Sequence, residues 1–272
     1  MLNKQNLHTH TTYADGKDMP QALVEEALAR GFGSIGFSEH SYLKYSSFPN
    51  QLTAEKAVLY REEIRALKKK YQGQIDIFCG LEFDFYSEDA VDEYDYLIGS
   101  VHYLACEKGI VTFDHGLGET TRYVTEHFHG DGLAFARKYF ETVARLPERG
   151  NFDVIGHFDL VTKNNDAGRF FDETAIEYLQ TGFEAIHALK GKIPFFEVNT
   201  GAIARGYKKL PYPAMPFLKE FFACGYGAII TSDCHNKDFL DCHFDEARAL
   251  LEEAGFKTRF ILTEKGFSEV AL

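Results

Sequence analysis

Seven short apolar runs alternate with longer segments of helical periodicity along this 272-residue chain, and that alternation limits the fold more than any other feature. The runs cover residues 5–7, 34–37, 75–81, 96–101, 154–155, 193–198 and 228–231. Strands joined through helices run parallel, because a helical crossover returns the chain to the same edge before the next strand begins. The intervening segments carry helix signals of their own. Pro20 sits in a first turn, and Leu23, Ala27 and Leu28 form a stripe that stops before Gly31. Thr53 is placed to cap a helix whose Tyr60, Ile64, Leu67 and Tyr71 share one face. Asp172 is placed to cap another, carrying Ile176, Leu179, Phe183 and Ile186 as far as Gly191. Residues 133–146, 216–225 and 245–255 complete the helices. The expectation is one α/β domain over residues 1–272, with 103–132 as irregular loops over one end.

Composition excludes several classes. With 45% hydrophobic residues a chain this long buries a full core without disulfide staples. The five cysteines are scattered, odd in number and never spaced C-x-x-C, which argues against a disulfide framework and against a thiolate zinc site. A net charge of −12 disfavours a nucleic-acid partner. Lys68-Lys69-Lys70 falls at the end of an expected helix, where it complements the dipole. No apolar stretch approaches the roughly 20 residues that span a bilayer, and the polar start has no leader character. A cytoplasmic protein is expected.

What accompanies the end of each run carries the chemistry. His8, His10 and Asp15 follow the first, Glu39 and His40 the second, Glu82 ends the third, and His102 follows the fourth. His157 and Asp159 follow the fifth, Glu197 and Asn199 close the sixth, and Asp233 and His235 follow the seventh. In a barrel of parallel strands those ends converge on one face. Imidazoles and carboxylates without thiolates suit zinc, manganese or iron, and there are too many here for one tetrahedral ion. His8 and His10, two apart in an extended segment, point the same way and grip one ion together; Asp233 and His235 offer a similar pair. Asp15 lies on a loop that Gly16 turns back over the site. His127 and His129 share the spacing but fall outside the rhythm and read as a surface feature.

In these residues the chain resembles the polymerase-and-histidinol-phosphatase (PHP) superfamily, and within it the monofunctional histidinol phosphatases. The resemblance rests on His8-Thr9-His10 with Asp15-Gly16, Ser38-Glu39-His40, Gly80-Leu81-Glu82 and Ser100-Val101-His102. It continues through Gly156-His157-Phe158-Asp159, Glu197-Val198-Asn199-Thr200 and Ser232-Asp233-Cys234-His235. It implies a distorted (β/α)7 TIM-like barrel holding two or three divalent ions. By that resemblance His8, His10, Glu82 and Asp233 hold one ion, and Glu82 bridges to a second that His102 and His157 complete. Asp15, His40 and His235 hold the third. Glu82, Asp233 and His235 take the catalytic roles, while Glu39 and Glu197 either orient histidines or are structural.

The implied activity is hydrolysis of a small phosphate monoester, L-histidinol phosphate first, by a hydroxide bridging two ions. Arg205, after the sixth run, is placed to clamp phosphate, with Arg169 and Lys163 as further candidates. Asp114 and Glu119 are candidates for a substrate amine, and Phe113 or Tyr42 for packing its ring. Two other readings stay open. A nucleotide phosphatase or nuclease of the same superfamily calls for a basic track, and none is visible. A non-catalytic metal-binding accessory domain is opposed by the complete ligand set. Oligomeric state leaves no signal in the sequence.

Overall fold

In a computed structural model that describes residues 4–46, 51–107 and 109–272, every expected run forms a strand. They are β1 (Gln5–Asn6), β2 (Ser34–His40), β3 (Asp76–Asp84) and β4 (Tyr96–Ser100), followed, past a hairpin of β5 (Tyr103–Cys106) and β6 (Gly109–Thr112), by β7 (Val154–Ile155), β8 (Phe195–Asn199) and β9 (Gly227–Thr231). The seven lie in the order β1-β2-β3-β4-β7-β8-β9, and all neighbours pair in parallel. The two ends of this order meet just beyond the strands. The His10 N–H donates to the Cys234 carbonyl at 2.8 Å and the Cys234 N–H to the His8 carbonyl at 3.0 Å, bridging Thr9 to Cys234. The sheet is therefore a nearly closed barrel, the distorted TIM-like form expected.

The strand period of two sorts side chains between interior and helix layer. In β3, Ile77, Cys79 and Leu81 join the large core under the helices, whereas Phe78 belongs to the smaller cluster with Leu7, Tyr96, Ile98, Val154, Ile229 and Leu262. Phe78, Gly80 and Glu82 thus form one face, with Glu82 at its upper end. Gly80 is required by a close approach: a Cβ there would meet the Tyr96 ring at 2.3 Å. The Tyr96 hydroxyl donates to the Phe37 carbonyl at 3.0 Å, filling the barrel below the polar face.

The helix signals hold with two corrections. Helix α1 (Pro20–Ala29) buries Leu23, Val24 and Ala27. Helix α2 (Ala54–Lys70) begins at Thr53, whose side chain accepts from the Lys56 N–H, and buries Tyr60, Ile64 and Leu67. Its last turn carries Lys68, Lys69 and Lys70. The first correction concerns residues 103–132, which are not irregular. They form the β5–β6 hairpin and then helix α3 (Leu117–Phe128), whose short strands pair only with each other. Helix α4 (Gly132–Val143) follows, capped by Asp131, which accepts from the Ala134 N–H at 2.9 Å.

The second correction concerns Asp172, which caps no helix. Its carboxylate accepts from the Thr174 N–H at 2.8 Å within a local turn, and helix α5 (Ile176–Leu189) starts later without a side-chain cap. Ile176 is consequently 77% exposed, and the buried face is Tyr178, Thr181, Gly182, Ala185, Ile186 and Leu189. Helices α6 (Gly201–Ala204), α7 (Met215–Cys224) and α8 (Phe244–Ala254) complete the outer layer. An antiparallel hairpin of β10 (Thr258–Thr263) and β11 (Gly266–Ala271), not foreseen from the sequence, covers the N-terminal ends of the strands. Gln5 anchors it, donating to the Leu262 carbonyl and accepting from the Leu262 N–H, both at 2.8 Å. All five cysteines are free, and no described helix is long and apolar enough to cross a membrane.

Candidate metal centre

At the opposite end of the strands the imidazoles and carboxylates converge on Glu82. Its Oε2 lies 3.4 Å from His8 Nε2, 3.6 Å from His10 Nε2 and 2.7 Å from His40 Nδ1. Its Oε1 lies 2.8 Å from His157 Nε2 and 3.3 Å from His102 Nε2, and those two nitrogens are 3.2 Å apart. One carboxylate therefore presents each oxygen to a separate set of histidines. Asp233 Oδ1 approaches His10 Nε2 at 3.3 Å and His8 Nε2 at 3.8 Å. Asp15 Oδ2 meets His235 Nε2 at 3.1 Å and His40 Nε2 at 3.6 Å. All nine residues implied as ligands stand together, and three groupings are compact enough to hold an ion: His8–His10–Asp233, His40–Glu82–His102 and His10–Asp15–His40–His235.

Local backbone brings them in. His8 and His10 flank the Thr9 bridge to Cys234 and are fully buried. Asp233 and His235 do not form the extended pair that their spacing suggests: Asp233 has φ of 46°, the left-handed region, which bends the chain between them. Gly16 is needed for closeness and not for a left-handed turn, since a Cβ there would lie 2.3 Å from the His10 carbonyl oxygen. The Asp15 loop is thereby pressed onto His10.

Buried polar atoms facing this centre lack hydrogen-bond partners among the described residues: His8 Nε2, both nitrogens of His10 and Asp15 Oδ1. Each unsatisfied buried group costs about 1–3 kcal/mol. Donor separations of 2.8–3.3 Å around Glu82 Oε1 match the roughly 3 Å edges of a polyhedron with ligand bonds near 2.1 Å. The residues fit divalent cations.

Electrostatics point the same way. Burial opposes ionisation of Glu82, but His40, His8 and His102 outweigh it and hold the carboxyl well below its usual range. Burial likewise works against Asp233, and Arg205 and His8 overcome it. Burial also disfavours a charged His102, yet Glu82 and Asp84 push it up to about 10. His10 goes the other way, lowered to about 3 by burial and by His235 and His40. The neighbouring carboxylates raise the affinity of His8, His40 and His102 for protons. Metal must displace them, so affinity rises with pH by about tenfold per unit for each proton released. Chelator competition at about pH 6 and about pH 8 is expected to give distinctly tighter zinc binding at the higher pH. An affinity independent of pH would mean that the imidazoles are already neutral.

A surrounding layer holds the ligands. Glu197, left open between two roles, accepts from His8 Nδ1 at 2.9 Å and from the His157 backbone N–H at 2.6 Å, so it orients the His8 ring and fixes the backbone that carries His157. Glu39 instead accepts from the Thr11 N–H at 2.8 Å, and burial pushes it up to about 8. Asp84 accepts from the His102 N–H at 2.7 Å and faces His102 Nδ1 at 3.4 Å. Its position two residues beyond Glu82, on the same strand face, was the available signal.

Above the centre opens a cavity of about 280 Å³ lined in part by Asp15, His40, Glu82, His102, His157, Asp233 and His235. Arg205, Lys163 and Asp114 also line it. Arg205 donates to Asp233 Oδ2 at 2.7 Å and lies 3.0 Å from His235 Nδ1. Lys163 pairs with Asp114 at 3.2 Å. Arg169 is exposed, and neither it nor Glu119 belongs to the lining. Phe113 is corrected to a core residue packed on Phe135 and Tyr139, because its ring points under α4. Tyr42 also stays outside the lining; the aromatic walls are Tyr103 and Tyr207, with Gln51 and His115 as polar additions.

The chain is similar to known proteins over nearly its whole length. A "Probable histidinol-phosphatase" of Schizosaccharomyces pombe is 26% identical over 95% of this chain and 89% of its own length. The "Histidinol-phosphatase" of Lactococcus lactis is 26% identical over 94% of this chain and 93% of its own. A crystal structure of histidinol phosphate phosphatase from Lactococcus lactis, complexed with zinc, L-histidinol and phosphate, superposes with a TM-score of 0.69 at 20% identity, covering 98% of this chain and 99% of that one. The PHP domain pattern itself matches residues 6–200. That span contains the ligand-bearing ends of β1 through β8, and the chain belongs to the PHP domain family.

Proposed function

We propose that this protein is a metal-dependent phosphomonoesterase that hydrolyses L-histidinol phosphate to L-histidinol and phosphate, a step of histidine biosynthesis in the cytoplasm. The observation that carries it is the Glu82 carboxylate, whose two oxygens serve two separate sets of histidines at the floor of a cavity sized for a small ligand. Two or three ions of the zinc, manganese or iron class supply a nucleophile at neutral pH by acidifying water, and they neutralise phosphoryl charge.

The chain's own residues do the rest. Glu82, Asp233 and His235, with His8, His10, Asp15, His40, His102 and His157, fix the ions. Glu197 orients the His8 ring and Asp84 faces the His102 ring, while each also accepts from a backbone N–H of a neighbouring histidine, His157 and His102 respectively. Arg205 presents a guanidinium beside Asp233 and His235, where it meets phosphoryl oxygens in a forked geometry. Lys163 adds a second cation, and Asp114 offers a buried carboxylate for the substrate's ammonium. Full-length relatives named for this activity support the substrate.

Phosphate release from L-histidinol phosphate, measured beside sugar, amino-acid and nucleotide phosphates with zinc- or manganese-loaded protein, tests the reading. A lead in kcat/KM of roughly a hundredfold, about 3 kcal/mol, is expected. A nucleotide in first place would keep the metal chemistry and move the substrate to the nucleotidase branch.

A further inference from the structure

On the outer layer, at the other end of the barrel, a second set of metal-competent side chains meets. His187 lies near the C-terminus of α5, and Glu220 and Cys224 lie one helical turn apart in the last part of α7. His187 Nε2 is 2.6 Å from Glu220 Oε1, and Cys224 Sγ is 3.7 Å from that same oxygen. The three donors fall within 4.8 Å of one another. We propose that His187, Glu220 and Cys224 form an accessory site for a zinc-class dication that staples α5 to α7, with water completing the coordination.

Three features support this site. Imidazole, carboxylate and thiolate together are the ligand chemistry of zinc and cobalt, not of magnesium or calcium. The Glu220–Cys224 spacing of four residues places both donors on one helix face, and the packing of α5 on α7 supplies the third from a separate helix. A thiolate site thus arises without a C-x-x-C pattern. Both contributing helices end here, so the negative ends of their dipoles add to the attraction for a cation. Converting the His187–Glu220 hydrogen bond to shared ligation requires the two atoms to part by roughly 0.8 Å, to the edge of a tetrahedron with bonds near 2.1 Å. Cys224 loses its proton to solvent as the cation enters.

The main centre contains only nitrogen and oxygen donors, which gives the accessory site its own signature. Metal-free full-length protein is titrated with cobalt(II), and thiolate-to-cobalt charge-transfer absorption is followed in the near ultraviolet. Wild-type protein is expected to develop this absorption to one equivalent. Cys224→Ser is expected to lose it entirely while keeping the visible cobalt bands of the histidine–carboxylate centre. Glu220→Gln and His187→Ala are expected to weaken the site at least tenfold. The retained visible bands report that each variant is folded. Absence of the charge-transfer absorption in wild-type protein, or its survival in Cys224→Ser, overturns the proposal.

Discussion

Glu82→Gln is expected to abolish turnover, with kcat falling by roughly a thousandfold or more, about 4 kcal/mol of barrier. The substitution preserves volume and removes one charge from a carboxylate that faces His8, His10 and His40 through one oxygen and His102 and His157 through the other. An amide presents only one good acceptor, so it cannot serve both sets. Metal content is expected to fall with activity. Phosphate release and elemental analysis of the same preparation decide the matter. A variant that keeps a full complement of metal and more than a tenth of wild-type kcat would remove Glu82 from its bridging place.

Arg205→Ala is expected to cost about a hundredfold to a thousandfold in kcat/KM, roughly 3–4 kcal/mol. Two effects combine. The side chain lines the cavity, and it also pins Asp233, donating to the carboxylate and to the backbone carbonyl, both at 2.7 Å. Arg205→Lys is expected to recover less than tenfold, since an ammonium cannot reproduce a fork that spans Asp233 and His235. Steady-state kinetics of both variants at saturating metal provide the check. Activity within threefold of wild type in the alanine variant would leave Arg205 as a surface cation beside the site.

The strands and the metal-competent side chains at their ends were legible because they depend on short-range pattern. A strand buried on both faces reads as an apolar run, as 75–81 does, and the polar residue that ends the run occupies the barrel mouth. Where the pattern weakened, so did the reading. The β5–β6 hairpin is short, only partly buried and paired only with itself, so it stands outside the strand–helix alternation that marks the barrel strands. Asp172 carries a capping side chain, but it closes a local turn with Thr174, an alternative that such residues always offer. Phe113 in a loop looked available to a ligand, whereas the packing of α4 made it core.

By itself, then, the sequence determined the order of the seven parallel strands and of the helices between them, and which metal-competent side chains stand at the strand ends, since each follows from the direction in which a local element points its residues; the barrel form came from the family resemblance. Tertiary structure alone decided which groups touch. Glu197 reaches His8 across 189 residues, Lys163 finds Asp114 across 49, and Arg205 settles on Asp233 across 28. His187, Glu220 and Cys224 become neighbours only when α5 packs on α7. Periodicity fixes the face that a residue occupies, but contact across elements depends on barrel closure, strand register and helix packing, and those are set by the whole chain at once.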